Sequence, residues 1–316
     1  MSPVFLKLVV VFEDAAPGGV CSRSRCASET EPAPVFGLTN QHGSQRVAHG
    51  VAFGGVGGIL QLACVGPNRV TGNAESMCGR FTLRTAARQI AEFFQLMSGL
   101  VEWDDPRFNI APTQSVLAIR RLAVGREPTL LRWGLIPSWA KDASMAAKCI
   151  NARGEELANN RVFRTPFRRS RCLIVADGFY EWDKTNPKKK VPIRFSLSDD
   201  SLFAFAGLAD RWSGPAGEVV ESCSVITTEP NALVQPTHNR MPVILHPADY
   251  DRWLDPQNQE VAALQPLLVP FPPEAMRAER VSDAINNAKN DVDPRLIVAV
   301  EPPRLRARSL FDDDDI

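Results

Sequence analysis

The feature that most constrains this chain is a change of texture at Met77-Cys78-Gly79-Arg80-Phe81. Ahead of it lie runs such as Ala15-Ala16-Pro17-Gly18-Gly19 and Gly54-Gly55-Val56-Gly57-Gly58, with few aromatic residues and no sustained helical or strand period. Such a segment cannot bury much apolar surface, so residues 1–76 are expected to be a disordered or poorly packed leader, or a misassigned start ahead of Met77. Residues 77–302 carry dense apolar patterning and are expected to form one folded domain. The stretch 303–316, with arginines at 304, 306 and 308 and aspartates at 312–315, reads as a solvated charged tail.

Within the folded region the periodicities are mixed. Ile90, Phe93, Phe94 and Met97 share one face of a helix. Strands are expected over 116–124, 129–133, 172–176, 191–197, 202–208 and 219–227, each rich in Val, Leu and Ile and bounded by turn residues. Two later segments, 247–254 and 257–268, read as helical, with Pro247 suited to a first turn. Many short strands with few helices outside them predict an α+β single domain with a largely antiparallel, barrel-like β core and peripheral helices.

Charge and cysteine usage exclude several classes. Lys plus Arg number 36, as do Asp plus Glu, so the chain lacks the bulk positive charge of a histone-like binder. Any contact with nucleic acid must therefore rest on a local patch. One candidate is 157–176, which has no acidic residue and holds Arg161, Arg164, Arg168, Arg169 and Arg171, although a solvated basic loop is the plainer reading. No run approaches the roughly 18 apolar residues of a membrane span. The apolar stretch 4–12 is interrupted by Lys7 and lacks a basic flank and a cleavage site, so no membrane partner is expected. The seven cysteines are scattered without a CxxC pair, and the four histidines do not complete a zinc pattern. That usage fits a reducing, cytoplasmic setting. There is no Walker loop and no GxGxxG before a helix, so no cofactor is expected. A monomer is expected.

Four segments place reactive side chains among turn-forming or aromatic residues: Cys78-Gly79-Arg80, Asn151-Ala152-Arg153, Phe179-Tyr180-Glu181-Trp182 and His238-Asn239-Arg240. Singly each is weak, since a lone Cys is usually a small buried hydrophobe and a Glu beside aromatics is often a strand-edge carboxylate. Together with Phe108-Asn109-Ile110-Ala111-Pro112-Thr113, Arg132-Trp133-Gly134-Leu135-Ile136-Pro137 and Val281-Ser282 through Lys289-Asn290, their order resembles the SOS response-associated peptidase (SRAP) family, over about residues 77–300. Members of that family act as abasic-site processing proteins.

The resemblance implies a covalent sensor of abasic sites in single-stranded DNA. It assigns catalytic positions to Cys78, Asn151, Glu181 and His238, phosphate-holding positions to Arg80 and Arg153, and the DNA groove to Trp133, Pro112 and Arg240. In the family the initiator Met is removed and Cys becomes the N-terminus. An N-terminal Cys carries an amine, with an ordinary pKa of roughly 7.7–8.0, next to a thiol, so both can act on one aldehyde. The amine forms an imine with the open-chain sugar, and the thiol closes on the imine carbon to give a thiazolidine. Glu181 and His238 supply proton transfers, and Asn151 orients the amine or the sugar. Flanking aromatics are expected to desolvate Glu181 and favour its neutral acid form. Trp133 or Trp139, if exposed, offers a stacking surface for a base.

As written, Cys78 follows Met77 through an amide nitrogen, which is not nucleophilic. A start at Met77, self-processing before Cys78, and loss of activity are the competing explanations. Two other functions remain open on sequence: a cysteine-dependent peptidase or amidohydrolase using Cys78, His238 and Asn151, and a single-strand binding module with Cys78 as a core thiol. A β-elimination lyase step is compatible with the crosslinking reading, since both pass through the imine.

Overall fold

The computed structural model describes residues 79–96, 103, 105–123, 125–183, 185 and 190–300, together with the backbone of 38–39 and 45–46. Those two short pieces, β1 (Leu38–Thr39) and β2 (Gln45–Arg46), pair antiparallel within a unit spanning Met1–Val70. The rest of the expected leader, the pair Met77 and Cys78, and the expected tail lie outside the described residues. All further elements belong to a second unit, Thr71–Ile316.

In this unit the strands are β3 (Phe81–Leu83), β4 (Arg107–Ile110), β5 (Ser115–Leu122), β6 (Gly125–Trp133), β7 (Asn151–Arg153) and β8 (Arg171–Ala176). They continue as β9 (Gly178–Asp183), β10 (Val191–Leu197), β11 (Phe203–Ser213), β12 (Val219–Thr228), β13 (Met241–Pro242), β14 (Ile244–Leu245) and β15 (Met276–Arg280). The helices are α1 (Ala87–Phe94), α2 (Arg164–Arg169), α3 (Tyr250–Leu254) and α4 (Val261–Leu264).

Five strands close on themselves in the order β12-β6-β5-β8-β11 and back to β12, so the expected barrel-like core is a closed barrel in an α+β domain. The β5–β6 hairpin, β5–β8, β8–β11 and β11–β12 are all antiparallel. Closure comes from a short parallel pairing of β12 with β6, Ser222 against Arg132 and Cys223 against Trp133. Closure removes unpaired edges, which suits strands too apolar to face water. All six residues of β8 are buried, as a near-continuous apolar run predicts. A second, antiparallel sheet runs β15-β10-β9-β3-β4. Phe81, from β3, joins it to the barrel core: its ring meets Trp133 at 5.2 Å and Phe205 edge-on at 5.7 Å. Burying an aromatic of this size contributes roughly 1.5–3 kcal/mol.

Several boundaries differ from the sequence reading, each for a local reason. The hairpin turns between Leu122 and Gly125, not over 125–128, because Gly125 adopts φ 140°, a conformation that favours glycine. Pro128 is accommodated within β6 opposite Ile119, where β12 does not pair with it, so its missing N–H leaves no bond unmade. The segment 257–268 yields only α4 and a 3-10 turn at Gln265–Leu267, since Pro266 stops propagation. Similarly, 247–249 is a 3-10 turn and the α-helix begins at Tyr250. In α1 the buried face is Ile90 and Phe94, Phe93 is exposed, and Met97 lies outside the described residues. Among the described residues no helix is long and apolar enough to cross a membrane.

Candidate functional site

The start of β3 runs against β9, with Phe81 opposite Phe179 and Thr82 opposite Gly178. The Tyr180 amide donates to the Arg80 carbonyl at 3.0 Å, so the pairing extends beyond the strand proper. Continued one step further, this register sets Gly79 opposite Glu181. Glu181 is 1% exposed and lies across from Ile193 of β10. A carboxylate so placed is unusual, because burial disfavours the charged form unless partners compensate. Its neighbours are anchored: Tyr180 Oη donates to the Phe108 carbonyl at 2.7 Å, and Trp182 Nε1 to Asn286 Oδ1 at 2.7 Å. Burial raises the Tyr180 hydroxyl well above the usual phenol range, so it stays a donor.

Asn151 opens β7, which lies parallel to β12 with Asn151 against Val225 and Arg153 against Thr227. The carbonyl of Ile150, just before it, accepts from the Val225 amide at 3.0 Å and from Trp133 Nε1 at 2.8 Å. Trp133 is 1% exposed, so it is core and presents no face for a base. This corrects the sequence expectation of a groove-lining role for its ring: closing the barrel at Cys223 pulls the end of β6, and Trp133 with it, inward. The exposed tryptophan is Trp139, 46% accessible, with the Arg161 guanidinium 4.3 Å above its ring.

His238 lies in the loop after β12 and is 6% exposed. Its Nδ1 lies 3.1 Å from the Arg240 amide and 3.3 Å from the Arg240 carbonyl, so the Arg240 backbone holds that edge of the ring. The same loop is clasped to β7's exit. Arg240 donates both terminal nitrogens to Glu155, at 2.6 and 2.8 Å, and Nη2 also reaches the Thr227 carbonyl at 2.8 Å. Burial raises the Glu155 carboxyl, but the hydrogen bonds and charge of Arg240 outweigh it and hold the group below the usual carboxylate range. Thr227 therefore joins the two arms, backbone to Arg153 on one side and to Arg240 on the other.

The remaining sequence-selected residues are placed unevenly. Arg80 is half-buried, and its Nη1 donates to Asn109 Oδ1 at 2.8 Å and to the Ile285 carbonyl at 2.9 Å. Burial lowers its pKa, against the raising pull of Asp291 and Tyr180. Arg153 is exposed and pairs with Glu156 at 3.2 Å. Pro112 is partly exposed between β4 and β5, ahead of Thr113 at φ 75°. Arg171 departs from the basic stretch altogether. It is buried, and its guanidinium donates to five carbonyls, Phe167, Arg168, Trp253, Asp255 and Asn258, at 2.5–2.8 Å. Those are all the N–H bonds a guanidinium has. Among the described residues no cluster of three or more His, Cys, Asp or Glu could hold a metal.

Residues 77–288 match the SOS response associated peptidase (SRAP) family. The chain belongs to that family.

Its relatives include the abasic site processing protein YoqW of Bacillus subtilis, 44% identical over 222 residues, covering 70% of this chain and 99% of that one. The abasic site processing protein HMCES of Xenopus tropicalis is 32% identical over 192 residues, 54% of this chain and 56% of its own length. A crystal structure of a protein from Bacteroides thetaiotaomicron superposes with TM-score 0.65 at 27% identity, covering 71% of this chain and 100% of that one. In this SRAP chain the structure also gives positions to residues to which the sequence assigned no role. Asn109, fully buried, holds Arg80 through Oδ1 and donates Nδ2 to the carbonyls of Ile285 and Asn287 at 3.1 and 3.0 Å. Asp291 receives the Asn109 amide at 2.9 Å and pairs with Arg107. Asp177 accepts from Thr82 Oγ1 and the Arg84 amide, both at 2.6 Å, fixing β3 against β9. Short polar side chains next to motif residues were the available signal.

Proposed function

We propose that this chain is a covalent sensor of abasic sites in single-stranded DNA, acting through Cys78 as an exposed N-terminus. The observation that carries the reading is Glu181, a carboxyl buried on β9 opposite the start of β3, the strand that Cys78 leads into. Its support comes from family membership and from relatives named as abasic site processing proteins. The family match begins at residue 77, and a relative is covered over 99% of its length by 70% of this chain, which supports a working chain without the leader.

The chemistry is balanced without a cofactor. The Cys78 amine adds to the sugar aldehyde to give a carbinolamine, which loses water to form an imine. The thiol then adds to the imine carbon, its proton passing to the nitrogen, and a five-membered thiazolidine results. Glu181 delivers and recovers protons at the opening sugar and the carbinolamine, and His238 acts as a second donor and acceptor near neutrality. Asn151, held in register by the Ile150 carbonyl contacts, orients the amine or the sugar. Arg80 and Arg153 hold phosphates, Arg80 already aimed by Asn109. Pro112 and Arg240 border the groove, and Trp139 takes the stacking role. β-Elimination from the imine is a side path of the same site.

The test is to incubate a chain beginning at Met77, and the full chain, with abasic single-stranded DNA and analyse both under denaturing conditions. A reduction-independent adduct with the short chain, absent in its Cys78→Ser variant, is the expected result. No adduct from a short chain shown by mass spectrometry to begin at Cys78 would overturn the reading. Peptide turnover without DNA would point instead to a cysteine peptidase.

A further inference from the structure

We infer that Arg161, Arg164, Arg168 and Arg169 form a second phosphate-binding surface, separate from Arg80 and Arg153, that carries the single-stranded DNA flanking the lesion. The inference rests on the proposed reading and adds where the strand runs.

The argument is one of unspent charge. Arg161, Arg164, Arg168 and Arg169 are exposed, and among the described residues none of them forms an ion pair. The two carboxylates just ahead are committed elsewhere, Glu155 to Arg240 and Glu156 to Arg153. Arg164 and Arg168 stand one helical turn apart on α2, a like-charge spacing that weakens a helix unless an anion sits between them. Two open depressions lie along this stretch. One, of about 450 Å³, is lined by Arg164, Thr165, Arg168 and Arg169. The other, of about 440 Å³, is lined by Trp139, Lys141, Met145 and Arg161, with Asp142 among its lining residues and bonded to the Ser144 amide at 2.8 Å.

The backbone of α2 is also anchored by hydrogen bonds, which the backbone of a solvated basic loop would not be. Arg171 bonds the Phe167 and Arg168 carbonyls at the end of α2 and ties them to the carbonyls of Trp253, Asp255 and Asn258. Phe167 is fully buried, its ring 6.2 Å from that of Trp253. The α2 backbone that carries Arg164, Arg168 and Arg169 is therefore held in place, and Arg161 lies against the exposed indole of Trp139. Exposed guanidinia lining two open depressions, one of them shared with an indole that Arg161 already contacts, suit a phosphodiester strand, with phosphates on the arginines and a base beside Trp139. An acidic peptide would match the charge but would not need the ring.

The experiment measures binding of undamaged oligothymidylates, about 30 and about 6 nucleotides long, by anisotropy across a salt series. The proteins are the wild-type chain and its R164Q/R168Q/R169Q and R164K/R168K/R169K variants. For the glutamine variant, the inference expects the log–log salt slope on the long strand to fall by about 2, near 0.7 for each phosphate that is no longer neutralised. It expects the short strand to change less than about twofold and the lysine variant to keep the wild-type slope. An unchanged slope, equal losses on both lengths, or loss in the lysine variant would overturn it, as would tighter binding of polyglutamate than of the long strand. Adduct formation on a short abasic oligonucleotide should survive in the glutamine variant. If wild type forms no adduct yet the slope falls as expected, the crosslinking reading fails and this one stands.

Discussion

Trp133 Nε1 donates to the Ile150 carbonyl at 2.8 Å while the Trp133 ring packs on Phe81 at 5.2 Å. One indole thus touches both the strand that Cys78 leads into and the backbone immediately before Asn151. Trp133→Phe keeps a ring in the core and removes the donor. The Ile150 carbonyl still accepts from Val225, so the expected stability loss is about 1 kcal/mol, measured by urea unfolding. Adduct formation should slow by more than that stability change implies, in single-turnover assays at fixed temperature. Equal rates in the two proteins would remove the positioning role. Trp133→Ala should cost about 3–5 kcal/mol.

Glu181→Gln keeps shape and burial while removing the proton donor. On the proposed mechanism it slows adduct formation by about 10²–10⁴-fold and leaves binding of undamaged single strands unchanged. A matched fall in binding would assign Glu181 a structural role instead.

Alkaline stability should report the buried thiols. Burial pushes Cys172 up to about 12, from 9.0, and raises Cys223 well above its ordinary value. A raised folded pKa means the native state holds protons that the unfolded chain releases. That stability is complete below pH 9 and is lost as pH climbs toward 12. Arg171, lowered to about 10 by burial, acts in the opposite sense, but only above that pH. Between pH 9 and 10 the thiols dominate, and Cys172→Ala should flatten the decline of urea midpoint with pH. A slope identical to wild type would contradict this.

Arg171→Lys retains charge but leaves several of the five carbonyls without donors. Unsatisfied buried groups cost roughly 1–3 kcal/mol each, so a total loss above about 3 kcal/mol is expected by chemical denaturation. Arg168→Lys, on the same segment but exposed, should be near neutral.

The Glu155–Arg240 clasp gives a further handle. Because the folded Glu155 pKa is depressed, its contribution is present at neutral pH and fades as pH falls through the folded value. Glu155→Gln releases the Arg240 guanidinium from a carboxylate, and tighter binding of single-stranded DNA at low salt is expected. Unchanged affinity would leave Arg240 as a brace for the His238 loop.

Much of the architecture was legible because the barrel strands are apolar on both faces. The six residues of β8 and the central run of β12 announce themselves by composition. β4 and β7 were not, since strands of four and three residues carry no period. Nor could spacing reveal Arg171, whose neighbours in sequence are exposed arginines; only its carbonyl partners, more than 80 positions away in Trp253, Asp255 and Asn258, separate it from them. Trp133 was misjudged for a related reason. An indole beside a glycine-proline loop resembles an exposed stacking residue until strand closure at Cys223 turns it inward. The motif residues themselves were readable, but the polar groups that steady them, Asn109, Asp177 and Asp291, become visible only when distant strands meet.

One strand, β12, borders β11, β6, β7 and β13 at once. During synthesis, the barrel strands before Val219 emerge without the strand that closes them, and the β7 pairing that begins at Asn151 waits for Val225. A nascent chain stalled short of that strand would be a client for chaperones, and competence at the candidate site would switch on with its docking.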